Sequence, residues 1–83
     1  MNYTVYVLKD RHDRIYIGQT QNLEKRLIDH NSGRTKSLHG RNPFQLVYTE
    51  EFKTRTKAVK KERALKSGQG RAWLKDYMRN MGL

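Results

Sequence analysis

The chain has 83 residues, no cysteine and a formal net charge of +10 at pH 7, from 18 lysines and arginines against 8 aspartates and glutamates. This length without a Pro/Gly-rich linker predicts one domain over residues 1–83. The lack of cysteine excludes disulfides and thiolate metal sites, and the lack of a signal pattern or membrane-length apolar run predicts a cytoplasmic protein with no membrane partner.

The N-terminal segment predicts a β-hairpin. Residues 3–8 (YTVYVL) are β-branched and aromatic, as in a strand. Residues 14–19 (RIYIGQ) place Ile15 and Ile17 on one face of a second strand, with Tyr16 and Gly18 on the other. The polar segment KDRHD between the two strands is typical of a turn, so we expect an antiparallel pair.

A first helix is predicted directly after the hairpin. Asn22 is a favourable N-cap residue, and Leu23 and Leu27 form an apolar stripe. The segment NSG at residues 31–33 predicts the end of this helix, with glycine as the stop. Residues 34–43 (RTKSLHGRNP) then form a basic loop that contains the only proline.

A third strand is predicted over residues 44–52, because apolar and polar residues alternate there. The apolar residues Phe44, Leu46, Tyr48 and Phe52 alternate there with Gln45, Thr49 and Glu51. A second helix is predicted over residues 55–67, with Ala58, Glu62 and Leu65 in one row and therefore with a carboxylate inside an apolar stripe.

A third helix is predicted over residues 71–81, after a break at residues 67–70. Its apolar face is expected to pack in the core and consists of Trp73, Leu74, Tyr77, Met78 and Met81.

The positive charge is concentrated in the second half of the chain. Residues 1–33 hold 5 basic and 4 acidic groups, whereas residues 34–83 hold 13 and 4, a balance of +9. Such a field attracts polyanions, so we expect a phosphate-bearing partner, although a lysine-rich surface also serves solubility.

Two pairs of polar side chains fall together in this arrangement. Tyr6 and Tyr16 lie on neighbouring strands, where paired rings either pack the sheet or take part in chemistry. Arg26 and His30 are four residues apart and stack on one side of the first helix. Arg26 could equally snorkel along the buried stripe, and His30 could equally interact with the helix dipole.

Glu62 requires a compensating cation, because burial of a lone carboxylate is costly. The cation could be a metal ion or Arg26 in an internal ion pair. The sequence has no zinc-ligand spacing, Gly-rich phosphate loop or Ser-His-Asp order. The remaining inventory suits phosphodiester cleavage with one hard cation, since a carboxylate binds Mg²⁺, arginine binds phosphate oxygens, and tyrosine or histidine accepts the proton of water.

With these residues in place, the chain resembles the GIY-YIG nuclease superfamily. Thr4-Val5-Tyr6 stands at the position of the first tripeptide, and Tyr16-Ile17-Gly18 matches the second in full. The similarity continues through residues 19–23, Arg26, residues 30–33 and Glu62. The segment LKSGQGR at residues 65–71 is similar to that of small standalone bacterial members related to the catalytic domain of the excision-repair incision subunit.

The resemblance implies an α/β (α+β) fold, in which a three-stranded antiparallel sheet is flanked by three helices. It implies that Tyr16 orients or deprotonates the attacking water and that Tyr6 supports it. It further implies that Arg26 stabilises the developing phosphate charge and that Glu62 binds Mg²⁺ or Mn²⁺. His30 matches a position where some members use a histidine in proton transfer.

We therefore predict a divalent-metal-dependent DNA endonuclease, and we expect it to be structure-selective and linked to DNA repair or recombination. The rival interpretation is a non-enzymatic nucleic-acid-binding module, and a third is a scaffold for a repair or recombination factor. Larger members of the superfamily add a separate DNA-binding domain, so affinity here must come from the basic loop and second helix, a second copy, or a partner protein. The expected nucleic-acid-binding residues are Arg34, Lys36, Arg41, Lys60 and Lys66.

Overall fold

Six elements follow one another along the chain, and together they confirm the predicted fold class. The computed structural model describes residues 2–32, 40 and 43–83. Its elements are β1 (Tyr3–Lys9), β2 (Ile15–Thr20), α1 (Leu23–Asn31), β3 (Gln45–Phe52), α2 (Arg55–Lys66) and α3 (Gly68–Asn80). The strands form one antiparallel sheet in the order β2-β1-β3. In the described part of the chain no helix is long and apolar enough to cross a membrane.

The turn between β1 and β2 is organised by the buried carboxylate of Asp10. The Oδ1 atom accepts the backbone N–H groups of His12 and Arg14, both at 2.8 Å. Oδ2 accepts Nε–H of Arg14 at 3.1 Å. Asp13 adopts a left-handed conformation with φ of 63°, which an aspartate tolerates better than most residues. These bonds hold the hairpin in the register that opposes Tyr6 to Gly18.

A β-bulge in β3 overturns the predicted alternation along this strand. Val7 of β1 pairs with Tyr48, whereas the next residue, Leu8, pairs with Leu46, so Val47 is the extra residue. Because the bulge rotates the strand, Val47 is buried in the core and Leu46 is 40% exposed. The prediction of a regular alternation through Leu46 and Tyr48 is therefore wrong.

The two faces of the sheet are covered by different helices. Val5 and Val7 pack in a cluster with Ala58 and Leu65 of α2, and the same cluster contains residues of α3. On the opposite face, Tyr6 and Leu8 of β1 pack in a cluster that contains Phe44, Tyr16, Leu23 and Leu27. Helix α1 therefore lies on one face of the sheet and α2 and α3 on the other.

Ser67 joins α2 to α3 without an intervening loop. Its backbone N–H donates to the carbonyl of Arg63 at 3.2 Å, and its Oγ accepts the N–H of Gly70 at 3.1 Å. One residue thus ends α2 and caps α3, so α3 begins at Gly68, three residues before the predicted start. A Cβ atom at Gly70 would collide with the Ala64 carbonyl oxygen and lie 2.6 Å from Leu65 Cα, so the helices approach closely here.

The predicted apolar face of α3 is only partly a core face. Leu74 and Met78 are buried, but Trp73 is 45% exposed and Met81 is 60% exposed, so the core assignment of these two is wrong. Trp73 instead stacks on Tyr77 at 5.3 Å between ring centroids, at the rim of the sheet. The Trp73 ring therefore contacts the rings of Tyr48 and Tyr77 while part of its surface stays exposed to solvent.

Candidate active site

Tyr6 and Tyr16 approach each other on the face of the sheet that α1 covers. In the hairpin register, Tyr6 opposes Gly18 and Tyr16 opposes Leu8, so the two tyrosines are diagonal neighbours. Their ring centroids are 6.2 Å apart with 35° between the planes. The expectation that the two rings approach on one face is met.

Gly18 provides the space in which these rings lie. A Cβ atom at Gly18 would be 2.7 Å from Tyr6 Oη, 2.8 Å from Tyr6 Cζ and 3.1 Å from a ring carbon of Tyr16. The Tyr6 ring therefore crosses directly over Gly18, which places its hydroxyl above the edge strand β2. The third residue of the YIG tripeptide thus has a steric function that the sequence alone did not reveal.

His30 is enclosed by aromatic rings and bonded to Tyr6. It is 1% exposed, and its Nε2 atom lies 3.1 Å from Tyr6 Oη, within hydrogen-bonding distance. Its ring is 5.3 Å from that of Tyr16 and 5.9 Å from that of Phe44, between centroids. Burial lowers the pKa of His30, and the positive charge of Arg26 lowers it further. Although His30 lies in the last turn of α1, burial outweighs the helix dipole and the ring is neutral at pH 7.

The same burial keeps the hydroxyl of Tyr6 protonated. Desolvation is the largest cause that raises the pKa of Tyr6, and the neighbouring Tyr16 adds to it. Arg26 acts in the opposite direction, and Glu62 raises the pKa again. Tyr6 is therefore a hydroxyl throughout the physiological pH range, whereas Tyr16 is more exposed and faces solvent in part.

Arg26 lies on the exposed side of α1, beside an open groove. The groove has a volume of about 340 Å³ and is lined by Arg26, Lys25, Thr20 and Gln21, among other residues. Arg26 is exposed, and its charge acts on the pKa of both Tyr6 and His30. It is thus close to the tyrosine cluster and accessible to an anion in the groove.

Glu62 lies at the border of the apolar stripe of α2, with a side chain that is 21% exposed. Its Oε2 atom accepts Nζ–H of Lys66 at 2.7 Å, one turn further along α2. The alternative of an internal ion pair with Arg26 is therefore wrong, because an i, i+4 partner is available on the same helix. The negative charge of Glu62 nevertheless raises the pKa of Tyr6, so the carboxylate acts electrostatically on the tyrosine cluster.

Glu62 offers a single carboxylate to a metal ion. The described residues contain no group of three or more histidine, cysteine, aspartate or glutamate side chains that could hold a metal ion. Mg²⁺ does not require such a group, because it retains several waters and often binds through one or two carboxylates. Glu62 would be the protein ligand.

Comparison with known proteins identifies the family. The sequence-family model of the GIY-YIG catalytic domain matches residues 2–76 of this chain. The chain belongs to the GIY-YIG family. It is 45% identical over 67 residues to a UPF0213 protein of Clostridium perfringens, a match that covers 80% of this chain and 71% of the relative. A UPF0213 protein of Natronomonas pharaonis is 37% identical over 67 residues, with 80% and 79% covered.

A solved structure shares this GIY-YIG fold. The solution NMR structure of a UPF0213 protein from Bacillus halodurans superposes with a TM-score of 0.58 at 33% identity, and the match covers 92% of this chain and 84% of that one. The chain is thus similar to small GIY-YIG proteins over nearly its whole length.

The predicted nucleic-acid-binding residues of this GIY-YIG protein have different surroundings. Lys60 is exposed on α2. Lys66 is paired with Glu62, which the sequence did not predict. Arg34, Lys36 and Arg41 lie outside the described residues.

The sequence analysis did not identify Lys25 as a neighbour of Arg26 in one groove, or the hydrogen bonds that form this groove. Thr20 Oγ1 accepts the N–H of Asn22 at 3.1 Å, and Asn22 Oδ1 accepts the N–H of Lys25 at 3.1 Å. These bonds fix the passage from β2 into α1 and turn Lys25 and Arg26 toward one groove. The Thr-x-Asn spacing before an apolar stripe was the available signal.

Proposed function

We propose that this GIY-YIG protein is a divalent-metal-dependent endonuclease that hydrolyses DNA phosphodiester bonds. The observation that supports it most is the cluster of Tyr6, Tyr16 and His30, in which the charge of Arg26 acts on Tyr6 and His30 and the charge of Glu62 acts on Tyr6. A base, a cation for the phosphate and a ligand for a metal are thus available together. The concentration of positive charge in residues 34–83 supports a polyanionic substrate.

Tyr16 is assigned to the attacking water. It is the tyrosine of the pair with access to solvent, so it can orient a water molecule or accept its proton as the oxygen attacks phosphorus. Tyr6 remains protonated and is bonded to His30, which suits a hydroxyl that donates to Tyr16 or to a phosphate oxygen. A neutral His30 that carries its proton on Nε2 would donate to Tyr6 Oη, which holds Tyr6 in place and leaves the Tyr6 hydroxyl proton available for donation.

Arg26 is assigned to the phosphate. A guanidinium forms paired hydrogen bonds with two phosphate oxygens, and its charge compensates the charge that develops as the P–O bond to the leaving group breaks. Its position on the rim of an open groove gives a phosphate access to it.

Glu62 is assigned to Mg²⁺ or Mn²⁺. A divalent cation supplies charge stabilisation to phosphoryl oxygens and favours ionisation of water. The Lys66 side chain is 48% exposed, so it can turn toward solvent when a cation binds Glu62. It would then give up its hydrogen bond to the carboxylate or bond to a water of the cation.

The ion pair between Glu62 and Lys66 also favours a second candidate function. If the carboxylate stays engaged at 2.7 Å, the protein would bind nucleic acid without cutting it. The first proposal extends to a role in DNA repair or recombination in the cytoplasm. In that role, a partner protein or a second copy of the chain would supply additional affinity for DNA.

The deciding experiment is incubation of the protein with labelled linear, branched and single-stranded DNA in Mg²⁺, Mn²⁺ or EDTA. Tyr16→Phe is the informative variant, because it deletes only a hydroxyl and retains the ring. We expect cleavage by the wild type in metal and a loss of roughly 10²-fold or more in the variant, with unchanged DNA affinity. Binding without cleavage in every condition would favour the non-enzymatic module.

A further inference from the structure

Three surface grooves lie in a row around one edge of the sheet. The first, beside α1, has a volume of about 340 Å³. The second, of about 240 Å³, shares Thr20 and Gln21 with the first and adds Arg55. The third, of about 330 Å³, shares Arg55 with the second and follows the outer face of α2. We call the cations that line these grooves the edge belt; they are Lys25, Arg26, Arg55, Lys60 and Arg63.

The edge belt is a run of available positive charge. All five side chains belong to exposed residues, and within the described part of the chain none forms an ion pair. Among the described residues that line the three grooves, Asp29 is the one carboxylate. By contrast, Lys61 and Lys66 on other sides of α2 pair with glutamates. The belt thus keeps five cations available for an external polyanion.

The belt passes from one face of the sheet to the other. Helix α1, which supplies Lys25 and Arg26, packs on the face that carries Tyr6. Helix α2, which supplies the remaining cations, packs on the face that carries Val5 and Val7. Strand β2 is one of the two edge strands of the sheet, and it ends at Thr20, one of the two residues shared by the first two grooves. A ligand that follows the belt must therefore bend around the end of β2.

Such a bend discriminates between single and double strands. The molecule measures 30 × 30 × 20 Å, so the path turns within a short distance. Duplex DNA has a persistence length of about 150 base pairs and resists so tight a turn. A single strand bends at little cost and still presents a phosphate at every nucleotide.

We propose that the edge belt binds the phosphates of a single-stranded segment of nucleic acid, which bends around the end of β2 from α1 to α2. Because Arg26 belongs both to the belt and to the candidate active site, the bound strand passes the two tyrosines. The substrate class then includes a single-stranded arm next to the scissile bond, such as a flap or a gap; this part rests on the proposed function.

Binding is measured in the Tyr16→Phe background, so that the ligand is not consumed. The ligands are a labelled single-stranded oligodeoxynucleotide, the RNA of the same sequence and a blunt duplex, each titrated over a range of salt concentrations. The belt variant is Lys60→Gln/Arg63→Gln. The matched control is Lys57→Gln/Lys75→Gln, which removes the same charge from exposed residues that line none of the three grooves.

We expect the single strands to bind more tightly than the blunt duplex, and the belt variant to bind them less tightly than the control. Since a single strand gives a slope of about −0.7 per phosphate contact, two lost contacts reduce the magnitude of the log–log salt slope by about 1.4. DNA and RNA should bind within threefold of each other, because the contacts are to phosphates. Equal slopes in the two variants, tighter binding of the duplex, or more than a tenfold preference for either sugar would overturn the proposal.

Failure of this inference and failure of the proposed function give different results. If the wild type cleaves DNA but the belt variant binds like the control, the belt is wrong and the nuclease stands. If the belt variant has the smaller salt slope expected above but the wild type cleaves no substrate, the inference about the belt is right and the proposed nuclease function is wrong. Urea unfolding of both double variants shows that neither result arises from misfolding.

Discussion

Tyr6 and His30 share a hydrogen bond of 3.1 Å between Oη and Nε2, and both side chains are almost fully buried. The bond joins the central strand β1 to the last turn of α1 and satisfies two polar groups that would otherwise be costly to bury. The same two residues are the core of the candidate active site. A contact that stabilises the fold is therefore also part of the candidate active site.

The stability of the protein should decrease as the pH falls from 7 to 5. The pKa of His30 is lowered in the folded state from its ordinary value of 6.5. The imidazole of the unfolded chain therefore takes up a proton at a higher pH than that of the folded protein. The contribution of neutral His30 to the free energy of unfolding is complete above pH 6.5, and it is lost as the pH falls toward the pKa of His30 in the folded state. Urea unfolding at several pH values measures this, and His30→Gln should flatten the dependence.

His12→Gln is the control for that experiment, because His12 is an exposed residue of the turn between β1 and β2. It should leave the pH dependence unchanged. If His12→Gln flattened the curve as much as His30→Gln, the buried imidazole would not be its source.

Glu62→Gln should abolish metal-dependent cleavage with little effect on folding. The Glu62–Lys66 ion pair is partly exposed and lies within one helix, so its loss in EDTA should cost about 0.3–0.5 kcal/mol. Lys66→Gln removes the same ion pair but retains the carboxylate, so it should cost as much stability and still cleave at saturating DNA. Mn²⁺ should raise the thermal midpoint of the wild type and of Lys66→Gln, but not of Glu62→Gln. A Glu62→Gln variant that still cuts DNA in Mg²⁺ would disprove the metal-ligand assignment.

Gly18→Ala should displace the Tyr6 ring and destabilise the protein by about 1–3 kcal/mol, the range for overpacking a core. A double-mutant cycle with Tyr6→Leu isolates the cause. Leucine does not extend to the position of the phenol, so the cost of Gly18→Ala should be much smaller in that background. Equal costs in both backgrounds would mean that the alanine methyl clashes elsewhere.

Gly70→Ala should destabilise the protein although alanine is the better helix former. Its Cβ would meet backbone atoms of Ala64 and Leu65, which cannot rotate away as a side chain can. Gly68→Ala is the matched control, since a Cβ at Gly68 meets nothing within 4 Å and should be neutral or stabilising. Thermal midpoints of the two variants should therefore move in opposite directions or differ clearly.

The sequence predicted the features that depend on local pattern. The hairpin, the Asn22 cap and the approach of Tyr6 to Tyr16 follow from alternation and capping chemistry, which act over a few residues. The bulge at Val47 was not predictable, because it depends on how β3 pairs with a strand far away in sequence.

Burial and pairing were the features that the sequence could not supply. The enclosure of His30 depends on Phe44, which lies directly before β3 and is distant from α1 in sequence. The exposure of Trp73 depends on how α3 packs against the rest of the protein. The pairing of Glu62 with Lys66 could not be predicted, because several cations of the sequence could reach this carboxylate and only the packing of the helices selects among them.

The position of β1 in the middle of the sheet determines how the chain can fold in time. A ribosome completes β1 first, but its second neighbour does not exist until Phe52, the partner of Tyr3, has been synthesised. Until then, the backbone groups along one side of β1 have no strand to pair with, and Val5 and Val7, which pack against α2, remain exposed. Distant pairing of this kind slows folding and exposes nascent chains to association. Helix α2 follows β3 after only two residues, so the cover for those valines is produced almost as soon as the sheet can close.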